Sequence, residues 1–254
     1  MNWFPRFSAF AVMAMALMVL TACSLGKDSP AKQKAKSHFL MGNAALGENN
    51  PSLALQEFLQ AEEADSDDPE IQAGLAQAYM QKKAFNLAEQ HWLRAISLSN
   101  GAPQHYNNLG ALYLTMERFD DAISAFRKAA DNLLFGTPEV AWTGIGYAYY
   151  LKRDYPAAER AYQKARELNP RYSQGFLRLG ELYYGQERTA EALENFQKAA
   201  ELAPRSAMAQ YWLGLTQLKL KNPAAARKAF EETVRLAPDS EPGRLAKNYL
   251  KTLR

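Results

Sequence analysis

One residue pattern recurs six times in this chain and leaves little freedom in the fold. Small anchors stand at Gly42, Ala76, Gly110, Gly146, Gly180 and Gly214, with spacings of 34, 34, 36, 34 and 34 residues. Twelve positions after each anchor is an alanine: Ala54, Ala88, Ala122, Ala158, Ala192 and Ala226. Sixteen after is an aromatic: Phe58, Trp92, Phe126, Tyr162, Phe196 and Phe230. Nineteen after come Ala61, Ala95, Ala129, Ala165 and Ala199, with Thr233 as the exception. Tyrosine follows four of the anchors by three (Tyr79, Tyr113, Tyr149, Tyr183), and an aromatic precedes three of them by four (Tyr106, Trp142, Phe176). The last three copies close on Pro170, Pro204 and Pro238.

These spacings describe two helices per copy. Large residues four before, one before and three after the anchor share one face of a first helix. The alanine, the aromatic four on and the alanine three further share one face of a second. Small residues then meet large ones, so the two helices interlock as an antiparallel pair. Proline stops the pair because it cannot continue a helix. Asp68-Pro69-Glu70 and Thr137-Pro138-Glu139 mark entries, each with a capping residue, a proline at the first helical position and an acid in the first turn.

On these residues the chain resembles the tetratricopeptide repeat (TPR) family. The resemblance implies an all-α, right-handed superhelical solenoid of about six helix pairs with a C-terminal capping helix. The repeats are expected at 35–68, 69–102, 103–138, 139–172, 173–206 and 207–238, with the capping helix over 239–254. The departures are local: Ala45 and Gln217 replace the usual tyrosine, and two extra residues fall near Leu133 to Thr137. Leu245, Tyr249 and Leu253, spaced by four, make an apolar stripe suited to closing the stack.

The first 22 residues are a different polymer. Arg6 is their only charge, and Ala9 to Leu20 is an unbroken apolar run of twelve. Such a run suits the core of a signal peptide; a membrane-spanning helix needs ~20 residues. It ends in Leu20-Thr21-Ala22-Cys23, which resembles the bacterial lipobox, and Cys23 is the only cysteine. We expect 1–22 to be removed and Cys23 to be lipidated. Residues 23–34 are expected to form the lipidated N-terminus and a tether, with a polar stretch running from Lys27 to Ser37. By resemblance to lipoprotein sorting, Ser24 in place of Asp favours an outer-membrane, periplasm-facing location.

The chemistry of an enzyme is not assembled in the sequence. His38, His91 and His105 are the only histidines, at unrelated registers in three repeats, and read as surface or packing residues. The acidic run Glu62, Glu63, Asp65, Asp67, Asp68 lacks the spacing and glycine of a calcium loop. No glycine-rich phosphate loop occurs. A net charge of +3 is too small for a dedicated nucleic-acid binder. The expectation is a non-enzymatic scaffold, without cofactor or metal, that binds neither nucleic acid nor a small-molecule substrate.

By resemblance to the family, positions three before, one after and four after each anchor face a groove. The candidates singled out are Asn107, Thr143, Tyr147, Tyr150, Leu177, Glu181, Tyr184 and Tyr211, where tyrosine dominates. Tyrosine offers large area and a polar tip with little entropy to lose, which suits peptide recognition. The alternative is that some of these tyrosines pack between repeats. A signal peptide, lipobox, tether and six repeats together resemble the PilF/PilW/Tgl family of type IV pilus biogenesis lipoproteins. The longer junction Asp131 to Pro138 is similar to one in that family. This resemblance implies a pilotin, a lipid-anchored protein that helps a secretin subunit reach the outer membrane and multimerise. An adaptor for another envelope machine, in peptidoglycan synthesis or β-barrel assembly, is the alternative.

Overall fold

The computed structural model describes residues 29–253. Cys23, the expected signal peptide at 1–22 and the first part of the expected tether lie outside the described residues. Within them the regular structure is helical. The first pair is α1 (Pro30–Gly47) and α2 (Pro51–Ala64), the second α3 (Pro69–Gln81) and α4 (Phe85–Leu98), the third α5 (Pro103–Thr115) and α6 (Phe119–Ala130). The fourth is α7 (Pro138–Leu151) and α8 (Tyr155–Leu168), the fifth α9 (Ser173–Gly185) and α10 (Thr189–Leu202), the sixth α11 (Ala207–Lys219) and α12 (Pro223–Leu236). A last helix, α13 (Glu241–Thr252), closes the stack. Each helix packs chiefly on its pair mate and then on the next pair, which makes a solenoid. No described helix is long and apolar enough to cross a membrane.

Helix ends follow local chemistry. Asp68 accepts from the Glu70 amide at 2.8 Å, and Asn50, Asp154, Ser206, Asn222 and Ser240 cap their helices in the same manner. Thr137 holds the cap position of α7, but its side chain makes no capping bond. The tether expectation needs correction: α1 begins at Pro30, capped by Ser29, so residues 30–34 are helical. The capping helix packs through Ala246, Tyr249, Leu250 and Leu253, while Leu245 is left exposed. Leu245 is one residue from Ala246, hence about 100° around the helix.

The turn inside each pair is the same in all six. Asn49, Lys83, Glu117, Arg153, Glu187 and Lys221, each seven after its anchor, take φ of 57–63°. The following amide bonds to the carbonyl five residues back at 2.8–2.9 Å, as for Arg118 to Tyr113 and Arg188 to Tyr183. This is a Schellman closure, which satisfies helix-end carbonyls that would otherwise be orphaned.

The core is a row of rings. Phe58, Tyr162, Phe196 and Phe230 are almost completely buried, and Phe126 is 3% exposed. Each of these rings packs closely on the anchor of its own repeat. A Cβ added at Gly146 would stand 2.5 Å from Tyr162, and one at Gly180 2.5 Å from Phe196. The next repeat supplies the opposite wall from the position two before its anchor. That wall is Gly74 for Phe58 and Gly144 for Phe126, where an added Cβ would again come within 2.6 Å of the ring. For Phe196 it is Trp212, stacked at 5.5 Å and 8°. The final ring, Phe230, is covered by Tyr249 of α13 at 5.0 Å and 6°.

Two junctions carry an added polar clamp. Glu89 of α4 accepts from the Tyr113 hydroxyl at 2.8 Å and from Arg118 at 2.7 Å, and Arg118 lies 4.3 Å over the Tyr113 ring. Burial, followed by the bond to Glu89, pushes the Tyr113 phenol up to about 12. Glu159, Tyr183 and Arg188 repeat the arrangement between repeats four and five.

Gly146→Leu is expected to cost ~1–3 kcal/mol through overpacking against Tyr162. Because repeats contact mainly their neighbours, the faster amide exchange should be confined to repeats three to five. Unchanged exchange there would contradict the packing described.

Candidate protein-binding groove

Two of the three tyrosines of α7 form the centre of the candidate site. Tyr147 and Tyr150 lie one turn apart, and their rings stack with centroids 6.3 Å apart and an interplanar angle of 11°. Tyr155, at the start of α8, tilts against Tyr150 at 5.8 Å. Arg178 reaches across from α9, its guanidinium carbon 5.0 Å from the Tyr147 centroid. It donates to Glu181 at 2.7 Å, so cation, carboxylate and two rings form one half-buried patch. Burial first, then the neighbouring Tyr155 and Glu181, raises the Tyr150 pKa. The phenol therefore stays a hydrogen-bond donor at neutral pH.

A second aromatic group lies one repeat further. Tyr184 of α9 meets Trp212 of α11 edge-on at 5.3 Å, and Lys219 sits 4.4 Å over the Tyr184 ring. Tyr211 contacts Trp212 at 6.2 Å and Phe230 at 6.0 Å. Burial raises the Tyr184 and Tyr211 phenols as well. The candidate tyrosines thus fall into two clusters, one around Tyr147 and Tyr150 and one around Tyr184 and Trp212.

Two of the candidate residues are misplaced by the register argument. Leu177 is 4% exposed and belongs to the core between repeats four and five. Thr143 is buried, its hydroxyl turned back to the Glu139 carbonyl at 2.8 Å. Asn107, on α5, is half buried and lies in the third repeat, apart from both clusters. Arg178, Trp212, Lys219 and Tyr155 were not anticipated. Arg178 and Trp212 both occupy the position two before the anchor, where repeats two and four carry Gly74 and Gly144. The spacing of Arg178 and Glu181 was a readable sign of an i, i+3 ion pair.

The histidines lie in different places. His38 contacts Glu57 at 2.8 Å, and His91 contacts the buried Gln72 at 2.8 Å. His105 is 1% exposed beside Trp92. Burial lowers the pKa of both His91 and His105. Among the described residues no group of three or more His, Cys, Asp or Glu side chains is placed to hold a metal ion. The arrangement offers flat aromatic faces, phenol donors and one buried-side ion pair. These are the parts of a contact surface for a peptide or protein segment.

Stability separates groove residues from core residues. Leu177→Ala is expected to cost about 2–5 kcal/mol. Tyr147→Ala and Tyr150→Ala, on half-buried positions, should each cost about 1 kcal/mol or less. Denaturant melts check this, and equal losses at all three sites would place the tyrosines in the core.

Known proteins agree with this architecture. Family models described as tetratricopeptide repeat match residues 39–103 and 177–241, residues 140–172, and residues 104–131. Tetratricopeptide repeat protein 8 of Caenorhabditis elegans is 25% identical over 138 residues, 54% of this chain and 27% of its own length. The chain therefore spans about a quarter of that curated relative. Among solved structures, PilF of Pseudomonas aeruginosa superposes with a TM-score of 0.69 at 16% identity, over 87% of this chain and 99% of that one. PilW, described as a widely conserved type IV pilus biogenesis factor, gives 0.71 at 17% identity, over 84% and 98%. Yeast Tom70 gives 0.72 at 21%, over 87% of this chain and 47% of that one. With more than half of its residues matched by one repeat model and its helices paired accordingly, the chain belongs to the tetratricopeptide repeat family, as a scaffold for protein–protein interaction.

Proposed function

We propose that the chain is an outer-membrane lipoprotein, anchored through Cys23 and facing the periplasm, that assists type IV pilus biogenesis by promoting localisation and multimerisation of a secretin. The observation that carries this reading is coextension. PilF and PilW are matched over 99% and 98% of their own chains, and these matches cover 87% and 84% of this one. The lipobox-like Leu20-Thr21-Ala22-Cys23 supports an anchor ahead of the first repeat. Anchoring raises the local concentration of the groove at the membrane, so a modest intrinsic affinity suffices.

In this reading the segment gripped by the groove belongs to the secretin, and Tyr147, Tyr150 and Tyr184 supply its main contacts. Hot-spot truncations of this kind cost ~2 kcal/mol or more each. Cys23→Ser should release the protein from the outer membrane while leaving its helicity unchanged. The triple Tyr147→Ala, Tyr150→Ala, Tyr184→Ala variant should fold and be lipidated, yet fail to restore secretin multimers and surface pili in a strain lacking the protein. Circular dichroism and melting provide the folding control. Normal secretin rings with the well-folded triple variant would remove the site. Normal rings in the strain without the protein would remove the pilotin reading and leave an adaptor of another envelope machine in its place.

A further inference from the structure

The junction between repeats five and six differs from the others on a face that carries no candidate groove residue. In the third, fourth and fifth repeats, aromatics stand four before and three after the anchor: Tyr106 and Tyr113, Trp142 and Tyr149, Phe176 and Tyr183. In the sixth repeat both positions are glutamine, Gln210 and Gln217. The consequence is a wider cleft. The cleft at the front of repeat four, lined by Trp142, Ile145 and Tyr149 with Arg127, Arg160 and Lys164, encloses about 340 Å³. The matching cleft at the front of repeat six encloses about 690 Å³. Gln197, Gln210 and Gln217 line it together with Leu213, Ala200 and Ala229.

These amides are not used by the fold. Gln72 provides the control, because it holds the position of Gln210 in the second repeat. There the carboxamide is fully buried, donates to Glu62 at 2.8 Å and to the Ser66 carbonyl at 3.3 Å, and meets His91 at 2.8 Å. Gln210 and Gln217 are half buried, and among the described residues neither side chain hydrogen-bonds to the protein. Gln210 and Gln217 thus line an open cleft with their donors and acceptors uncommitted, and Gln197 lines it with them.

We propose that this cleft binds an extended peptide segment by its backbone, at a site separate from the aromatic groove. A carboxamide offers a donor and an acceptor side by side, the complement of a peptide unit. A glycan would be expected to lie on an aromatic ring, and no aromatic lines the cleft. Gln210 and Gln217 are seven residues apart on α11, about 10 Å along the axis. That distance is the length of about three extended residues, so one strand can engage both. The rim carries Lys228, Glu231, Glu232 and Arg235, and Arg235 is already paired with Glu232 at 2.7 Å, so the occupant need not be charged. A cleft of this volume lies within the range of about 300–1,000 Å³ typical of ligand sites.

The proposal does not depend on the pilotin reading, and its test uses the full chain. Short peptides from a displayed random library are selected on the protein, and the side-chain amide signals of Gln197, Gln210 and Gln217 are followed by NMR. We expect selected peptides to shift those signals. Gln210→Trp with Gln217→Tyr, which refills the cleft as in repeat four, should weaken binding by roughly tenfold or more. Gln210→Ala with Gln217→Ala keeps the cleft open but removes the amides, and should weaken binding as well. The proposal is overturned if the selected peptides bind both glutamine variants as tightly as wild type. It is equally overturned if no peptide shifts the three amides, or if chitotetraose shifts them and peptides do not.

Discussion

The contact on which the stack depends is a flat aromatic ring held between two close surfaces. Phe58 shows it most simply, since Gly42 of its own repeat and Gly74 of the next leave room for nothing but the ring. Close-packed interiors tolerate neither an added methyl nor a missing one, so this geometry ties two repeats to one side chain. Phe126 uses Gly110 and Gly144 in the same way. Where the second glycine is replaced in the sixth repeat, the new residue becomes the wall, Trp212 over Phe196, and Tyr249 of α13 covers the final ring, Phe230. The periodic small-and-large pattern is therefore the means by which separate helix pairs become one solenoid, and α13 ends it by covering the last exposed ring.

The same wall position connects the core to the candidate groove. Arg178 stands where repeats two and four have glycine, and its long side chain continues outward to Tyr147 and Glu181. Trp212, at the equivalent place, carries Tyr184 and Tyr211 on its edges. The aromatic surface of repeats four to six is thus braced from beneath by residues seated on the core rings. Such bracing favours recognition because little side-chain entropy remains to be lost on binding. The Tyr–Glu–Arg clamps at two junctions hold neighbouring pairs in fixed register and so steady the spacing between groove residues.

Much of this was legible from spacing alone. Six helix pairs, their interlocking anchors and rings, and the closing helix follow from a 34-residue period read with helical geometry, and the repeat models match the same stretches. The turn residues were not legible. Asn49, Lys83, Glu117, Arg153, Glu187 and Lys221 take a left-handed conformation in which glycine is usual, so nothing in their identity announces it. The start of α1 escaped because the polar stretch Lys27 to Ser37 has the composition of a tether, although Ser29 and Pro30 form a cap and first turn. Leu177 and Thr143 were misassigned because a linear stripe ignores how far the following helix pair covers it. Arg178 and Trp212 escaped for the converse reason: a position that is glycine in other repeats does not look like a site for a long side chain.

The central claim is that each ring belongs to two repeats at once, and residue-resolved hydrogen exchange on Phe196→Ala tests it most directly. Removing a buried phenylalanine costs about 3–5 kcal/mol. The expected result is a joint loss of protection in α9 and α10 of the fifth repeat and in α11 of the sixth, where Trp212 loses its partner, with repeats one and two unchanged. Loss confined to α9 and α10, with α11 as protected as in the wild type, would contradict the account.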